Sequence, residues 1–338
     1  MAFIDLKAEL AECVPGMSRI YAGTLIKRAL QRVLDSNLWS FQLQQYGFST
    51  PNVMTAGTIS VPAPGIGATT LIGDADATAA WLALPFYFIP TVQQIRANGY
   101  SIYSIIAYDN GQDPVNSPNY PYATLTLDRP FVDPLPFTTG VAYQMFQAYI
   151  PAPPQFKRWL TVADMFNCWA LDVWTTRRSI DIRDPARLYT SDPNYILPYG
   201  TDARPGSATY GQMLYELYPN PQTAISYQCY YVSQGPQLVN NSDTLPYPLS
   251  EDLILSQARC YAYEWAESRK DVMAAKGSGA NYSNLLKEAK ADHLNFLKTT
   301  RLLDKDQVDS FMVNMNDFVS SYKMPYFNAA IGRANMGL

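Results

Sequence analysis

Few residues of this chain could carry out acid–base or nucleophilic chemistry. There is a single histidine, His293, so most zinc sites and any Ser-His-Asp or Cys-His catalytic arrangement are hard to build. His293 lies on the apolar stripe of a predicted helix, beside Phe296, which favours a structural role over a catalytic one. The cysteines form no Cys-x-x-Cys pair and have apolar neighbours, so we expect small buried thiols. They are Cys13, Cys168, Cys229 and Cys260.

Two closely spaced pairs of aspartates could in principle serve a glycosidase or bind calcium. They are Asp74 with Asp76 and Asp304 with Asp306. Both pairs fall in a turn or at a predicted helix start, where aspartate is typical as a cap. The GIG stretch at Gly65–Gly67 lacks the helix and the lysine of a phosphate-binding loop. We therefore predict no catalytic residue, no metal site, no cofactor and no enzymatic activity.

The composition indicates a folded protein with broad neutral surfaces. The 338 residues are 48% hydrophobic and 16% charged, and 25 are tyrosines, a residue type favoured at protein interfaces. The net charge of -4 argues against tight binding of phosphate backbones. No apolar run approaches the roughly 20 residues of a membrane span, and the acidic N-terminus is unlike a signal peptide. We expect a soluble chain that makes no membrane contact and is not secreted by the usual route.

Residues 1–54 are predicted to form the first part of a helical bundle. Ser18 can cap a helix with an apolar stripe over residues 22–33. The opposite side carries a basic row, which consists of Arg19, Lys27, Arg28 and Arg32. The row can be a solvated helix face or a contact with an acidic neighbouring subunit. Arg28 and Arg32 are therefore candidate subunit-interface residues.

Residues 55–152 are predicted to form an inserted β domain. Four runs rich in β-branched and aromatic residues are separated by turns rich in glycine, proline and asparagine. The runs are 57–61, 100–108, 123–128 and 142–150. The expected arrangement is an antiparallel sandwich or a small barrel.

Residues 153–207 are predicted to hold the second part of the bundle and a long loop. The strongly apolar stretch 160–178 favours a helix that must be covered on most sides. The turn-rich stretch 184–206 is expected to be an ordered loop.

Residues 208–248 are predicted to form a β-hairpin and a proline-rich linker. Alternating residues on either side of Pro219-Asn220-Pro221 indicate two strands laid on the bundle. Tyr218 or Tyr230 would then be free to touch a neighbouring subunit.

Residues 249–322 are predicted to form the third part of the bundle, and 323–338 a C-terminal tail. Helices are expected to begin at Ser250, after the KGSGA break, and at a capping box that starts with Asp304. The predicted fold class is thus α+β: a discontinuous helical bundle with an inserted antiparallel β-sandwich or small barrel and an extra β-hairpin.

The order of these features resembles a known family. The predicted N-terminal helix contains the stretch RALQRVLDSNLWSF, from Arg28 to Phe41. Further along the chain, TAGTISVPAPG is followed by YSIYSIIAYD, ATLTLDRPF and AYQMFQAYIPAPPQFKRW. The phrase LYELYPNPQTAISYQCYYVSQGPQLVNNSDTLPYP then leads into a helix of the ILSQARCYAYEWAE type. Together these stretches resemble the head-to-tail connector, or adaptor, proteins of tailed bacteriophages, over about residues 18–300.

The resemblance implies a structural virion protein made in the host cytoplasm and located at the head–tail junction. Its copies would form a ring, expected to be a dodecamer, that joins the portal ring to tail, nozzle or stopper proteins. DNA would pass through the lumen without specific binding. By the same analogy the C-terminal tail would reach the portal, although it could instead pack on its own bundle. The expected portal-binding residues are Tyr322, Met324, Tyr326, Phe327 and Ile331.

An alternative from another class is a carbohydrate- or receptor-binding virion module. Tyrosine faces suit sugars, and the β insert would display Tyr100, Tyr103, Tyr108 and Tyr122. The many helices with buried-type stripes argue against this alternative.

Overall fold

A computed structural model describes residues 2–61, 68–83, 94–97, 101–117, 119–132, 140–202, 209–269 and 281–320, with side chains up to residue 312. The chain divides into two compact units. The helical unit contains Met1–Gln44, Gln155–Arg158 and Tyr231–Phe318. The β unit contains Gln45–Pro154 and Trp159–Tyr230.

The described residues form helices and antiparallel sheets, so the predicted α+β class is confirmed. The helices are α1 (Phe3–Cys13), α2 (Arg19–Ser36), α3 (Ala75–Leu82), α4 (Arg177–Arg183), α5 (Glu251–Glu267) and α6 (Tyr282–Ser320). The strands are β1 (Leu43–Thr50), β2 (Ile59–Ser60), β3 (Thr70–Gly73), β4 (Gln94–Ala97), β5 (Ile102–Asp109), β6 (Thr124–Leu127), β7 (Tyr143–Phe146), β8 (Tyr149–Pro151), β9 (Phe156–Asp164), β10 (Trp169–Ala170), β11 (Tyr195–Thr201), β12 (Met213–Tyr218) and β13 (Ile225–Ser233).

Two helices of the helical unit begin where the sequence predicts. The hydroxyl of Ser18 accepts a hydrogen bond from the backbone N–H of Tyr21 (3.2 Å), and that of Ser250 accepts one from Leu253 (3.2 Å). Each bond satisfies one of the free N–H groups of a helix start. Helix α5 packs against both α1 and α2. Its Ala258 and Ala262 are fully buried and allow the backbones to approach closely.

Helix α6 corrects the prediction of two separate helices after residue 281. It runs without a break from Tyr282 to Ser320, because no glycine or proline interrupts it. Asp304 does not cap a new helix. Its carboxylate is fully buried and accepts hydrogen bonds from the backbone N–H (2.8 Å) and the hydroxyl of Ser40.

The insert forms the small barrel that was one of the two predicted alternatives. Six antiparallel strands follow the order β2-β3-β6-β5-β4-β7. The two ends of this sheet meet through a pair of backbone hydrogen bonds between Ile59 and Val141 (2.9 and 2.8 Å), so the barrel is nearly closed. Leu125 and Leu127 alternate inward from β6. Helix α3 packs on the barrel, where the indole N–H of Trp81 donates to the hydroxyl of Tyr143 (2.8 Å).

The predicted helix over residues 160–178 is wrong. The stretch forms β9, a tight turn and β10, and α4 begins only at Arg177. Strand β9 lies between β13 and β10 in the sheet order β1-β13-β9-β10. Its second half, from Trp159 to Asp164, is largely buried on both faces, so its apolar residues do not alternate with exposed polar ones. The buried carboxylate of Asp164 closes the turn by accepting from the N–H groups of Phe166 and Asn167 (2.8 Å each). The expected loop 184–206 also contains a strand, β11.

The predicted hairpin is half right. Both strands exist, but β12 pairs with β11 and β8, whereas β13 lies between β1 and β9 in another sheet. The turn residue Asn220 is 1% exposed, and its side-chain N–H donates to the carbonyl of Arg187 (2.8 Å). This anchored turn carries the chain from one sheet to the next instead of folding it back.

Candidate functional site

The exposed side of α2 carries the predicted basic row. Lys27, Arg28 and Arg32 are all exposed, as is Arg19 at the start of the helix. The same side carries Ile20, which is 86% exposed. Interfaces commonly use an exposed apolar side chain of this kind as an anchor.

Aromatic rings, not carboxylates, hold the cations of α2. The guanidinium of Arg28 lies 4.5 Å from the ring centroid of Tyr261, and the ammonium of Lys27 lies 5.6 Å from that of Phe3. Among the described residues, no carboxylate forms an ion pair with any of the four cations. Their charge is therefore available to a partner.

The acidic residue on this side of α2 is already paired. Asp35 lies 2.7 Å from the ammonium of Lys157 and accepts from the side chain of Gln31 (3.1 Å). The hydrogen bond from Lys157, followed by that from Gln31, lowers the pKa of Asp35 below its usual range. The row therefore keeps a positive balance along the whole helix.

Tyr218 and Tyr230 are not the free contacts that the sequence predicts. They are 8% and 9% exposed. The hydroxyl of Tyr218 donates to Asp184 (3.1 Å), and the hydroxyl of Tyr230 accepts from the side chain of Gln45 (2.7 Å). Burial raises the pKa of Tyr218 to about 12. Both residues are structural parts of the β unit, because the strands that carry them lie in two sheets and not in an exposed hairpin.

The expected portal-binding residues lie outside the described residues, so that prediction stands as it was made. They are Tyr322, Met324, Tyr326, Phe327 and Ile331.

The tyrosines of the glycan-binding alternative do not form one exposed platform. Tyr103 is 1% exposed, and its ring stacks on Phe131 inside the barrel at 5.1 Å. Tyr108 is half-buried and Tyr122 is exposed, while Tyr100 lies outside the described residues. Alternation along β5 brings Tyr103 into the core and removes it from any sugar-binding face.

A buried ion cluster in the β unit was missed by the sequence analysis. Glu216 on β12 is 2% exposed and pairs with the guanidinium of Arg187 at 2.5 Å. Arg187 also contacts Asp181 of α4, and Arg177 lies 3.5 Å from Glu216. Burial alone would lower the pKa of Arg187, but its hydrogen bonds to Glu216 and Asp181 outweigh that effect and raise it. A glutamate within the apolar strand LYELY was the available signal.

A second arginine joins the segment around residue 187 to the barrel. Arg96 on β4 is 2% exposed and donates to the backbone carbonyls of Ala186 (3.3 Å) and Arg187. Burial lowers the pKa of Arg96, and Asp184 partly opposes that effect. Arg187 is matched by carboxylates within the unit, whereas Arg96 is held by backbone carbonyls and its Nε has no hydrogen-bond partner among the described residues. The cluster is therefore a scaffold that fixes α4 and the loop after it.

The loops around α4 carry a second set of exposed apolar side chains. Phe166, Trp174 and Ile182 are 78%, 61% and 75% exposed. The backbones of Phe166 and Trp174 are held in place, since Asp164 accepts from the N–H of Phe166 (2.8 Å) and Asp172 from that of Trp174 (2.7 Å), while Ile182 lies within α4. Fixed aromatic and branched side chains in water are typical of a protein-binding surface.

The remaining candidates for chemistry occupy structural positions. His293 is half-buried on α6, with its ring nitrogen 3.5 Å from the hydroxyl of Ser256 on α5, and burial lowers its pKa. Cys229 and Cys260 are buried, and burial raises the pKa of Cys260 to about 11. Cys168 is exposed in the turn after β9, so the expectation of a buried thiol is wrong there.

The described residues of the β unit line cavities that could take a small ligand. One, of about 210 Å³, is lined by Phe146, Asn220 and Gln222 among others. Another, of about 420 Å³, lies beside Asp109 and Asp113, whose carboxylates accept backbone N–H groups of the same loop. Among the described residues, no three histidine, cysteine or acidic side chains are grouped so as to hold a metal ion.

None of the helices in the described part of the chain has the length and apolar character needed to cross a membrane. Comparison with models of known protein families gives no match, and comparison with curated proteins gives no significant match.

Proposed function

We propose that this chain is a structural virion protein, a head-to-tail connector of a tailed bacteriophage. Its copies form a ring, expected to be a dodecamer, between the portal ring and tail, nozzle or stopper proteins. The proposal begins from the order of sequence features given above. The observation that carries it furthest is the exposed face of α2, on which cations without a contact ion pair lie around the exposed Ile20.

The proposed mechanism is assembly without a reaction. Each copy uses one surface to bind its neighbours and another to bind the portal or tail. The exposed side chains Phe166, Trp174 and Ile182 suit the second task. A ring multiplies a weak subunit contact, because each bond already made raises the effective concentration for the next.

The same proposal predicts a negatively charged lumen. The net charge of the chain is -4, and repulsion keeps a passing DNA strand from sticking to the wall. A reconstruction of the ring that shows a strongly basic lumen contradicts this part of the proposal.

Electron microscopy of the purified chain, alone and mixed with purified portal rings, tests the function. We expect rings in the first sample and rings seated on portals in the second. A matched sample mixed with a portal from an unrelated phage is the control for nonspecific stacking. Monomers that ignore portals but bind one class of sugar on a glycan array would instead support the receptor-binding alternative.

A further inference from the structure

The exposed side of α6 separates its charges into two lines. Glu288, Asp292 and Asp306 are exposed and lie, at roughly 100° per residue, on one side of the helix. Phe296 (37% exposed) and Leu303 (59% exposed) fall within the same arc of about 80°. We call these five residues the acidic strip of α6. Three of the α6 lysines, Lys287, Lys298 and Lys305, follow a different line, and the fourth, Lys290, pairs with Glu264 of α5.

The acidic strip and the basic face of α2 follow the same plan with opposite sign. The basic face is defined as Ile20, Lys27, Arg28 and Arg32. Both surfaces place charge of one sign around exposed apolar side chains. At about 1.5 Å per residue, the basic face spans about 18 Å over residues 20–32 of α2 and the acidic strip spans about 27 Å over residues 288–306. Both are exposed within one chain, so neither covers the other there.

We propose that the acidic strip of α6 in one copy binds the basic face of α2 in a second copy. This inference rests on the proposed connector function, since it names the subunit contact that a ring needs. Ile20, Phe296 and Leu303 supply the apolar area. The charges select the partner and the register, because the lysine line of α6 repels the cations of α2.

The proposed contact is heterologous, since it joins two different surfaces. A heterologous contact repeats from copy to copy and closes into a ring when the rotation between copies permits. Until the ring closes, an open row of copies has an unpaired acidic strip at one end and an unpaired basic face at the other. In a two-fold dimer the acidic strip and the basic face of each copy would both meet the partner at once, so no surface would be left to extend a ring.

Charge reversal tests this contact in the full chain. We compare the wild type with Arg28→Glu/Arg32→Glu and with Glu288→Lys/Asp292→Lys by native mass spectrometry and sedimentation. We expect each reversed variant alone to self-associate at least about tenfold more weakly, because like charges then face each other. An equimolar mixture should assemble again, since each reversed surface meets an opposite one. The matched control, Lys298→Gln/Lys305→Gln, removes charge from the lysine line without creating a second acidic surface, and it should assemble at least as well as the wild type.

Salt gives an independent measurement of the same contact. Assembly of the wild type should weaken between about 0.05 M and about 0.5 M salt, because exposed charges are screened. Circular dichroism and thermal unfolding show whether each variant is folded, so loss of structure is not mistaken for loss of association.

The outcomes separate this contact from the function on which it rests. If both reversed variants assemble like the wild type and still sit on portals, the contact is wrong and the connector function stands. If the variants behave as expected but no assembly binds a portal, the contact stands and the connector function fails. A monomeric wild type whose α2 face binds a single-stranded oligonucleotide, with binding lost in Arg28→Glu/Arg32→Glu, overturns the contact in favour of a phosphate-binding surface.

Discussion

Glu216 lies on β12 with 2% of its surface exposed, between Arg187 and Arg177. A buried ion pair of this kind stabilises the folded state little more than apolar residues in both positions would. Removing one partner is strongly destabilising, however, because the other charge is left buried without a partner. The stability of the β unit therefore depends on the completeness of the cluster more than on any one bond within it.

Glu216→Ala should lower the free energy of unfolding by about 3 to 5 kcal/mol, because Arg187 is left buried without its main partner. Urea unfolding followed by circular dichroism measures the loss. The control is Glu264→Ala, because the carboxylate of Glu264 pairs with the exposed Lys290 at 3.4 Å. This substitution should lower the free energy of unfolding by less than about 1 kcal/mol. Equal losses in the two variants would contradict the assignment.

The carboxylate of Asp184 makes the stability of the folded chain depend on pH. Burial alone would raise its pKa, but hydrogen bonds from the N–H groups of Tyr189 and Leu188 and from the hydroxyl of Tyr218 lower it below the ordinary 3.8. A lowered pKa contributes stability that is complete above pH 3.8 and is lost as the pH falls through the folded-state value. Asp184→Asn should therefore be less stable near neutral pH and should lose less on acidification. Urea midpoints measured across the acid range, with the exposed Asp309→Asn as control, would refute this if the two profiles coincide.

At the scale of elements, α6 shows how tertiary contacts decide the role of a residue. Asp304 has the residue type and spacing of a helix cap, yet it binds the short 3-10 turn at Ser40–Gln42. Arg301, one turn earlier, donates to the carbonyl of Ser36 at the end of α2 (2.7 Å). These contacts hold the middle of a helix of 39 residues against its neighbours.

Asp304→Ala should lower the free energy of unfolding by about 2 to 3 kcal/mol, because the backbone N–H of Ser40 loses a charged, buried hydrogen-bond acceptor. Hydrogen exchange should show lower protection around residues 298–312, while α5 stays protected. Asp309→Ala, an exposed residue of α6 outside the acidic strip, is the matched control. Protection that is unchanged in Asp304→Ala would show that the contact does not anchor α6.

Gly57 precedes strand β2 of the barrel and lies close against the start of α3. Its φ of 77° is left-handed, and a Cβ there would lie 2.3 Å from the backbone nitrogen of Ala77 and from the carboxylate of Asp74. Gly211 has the same φ but open space around it. Gly57→Ala should therefore lower the free energy of unfolding by about 1 to 3 kcal/mol more than Gly211→Ala. Thermal unfolding of the two variants measures the difference, and equal shifts would mean that the close approach carries no cost.

At the scale of the whole molecule, the chain returns to each unit after leaving it. The helical unit takes its residues from both ends of the described chain, with Gln155–Arg158 from the middle. The β unit takes in Trp159–Tyr230 as well as the predicted insert. The second part of the predicted bundle therefore belongs mostly to β structure.

Deletion of residues 323–338 tests the predicted role of the C-terminal tail. We expect the truncated chain to keep its circular dichroism spectrum and thermal midpoint but to lose attachment to portal rings in electron microscopy. A variant with Tyr326 and Phe327 changed to serine should show a partial loss, since large aromatic side chains carry much of the affinity of such contacts. Attachment at the wild-type level would rule out the tail as the portal-binding segment.

The sequence by itself determined the features that depend on neighbours along the chain. Caps at Ser18 and Ser250, the stripe of α2 and its basic row, and a β-rich insert all follow from spacing and residue type. These patterns are local, since a cap needs an N–H three residues away and a stripe needs only the helical repeat.

Only the tertiary structure decided the features that depend on distant partners. An apolar run such as 160–178 suits a buried helix and a buried strand equally, and its neighbours β13 and β10 settle the choice. Asp304 accepts a hydrogen bond from Ser40, which lies 264 positions away in the sequence. Glu216 on β12 pairs with Arg187, which lies in the loop after α4. The energy of a pairing or a buried ion cluster lies in contacts between remote segments, so no local pattern reports it.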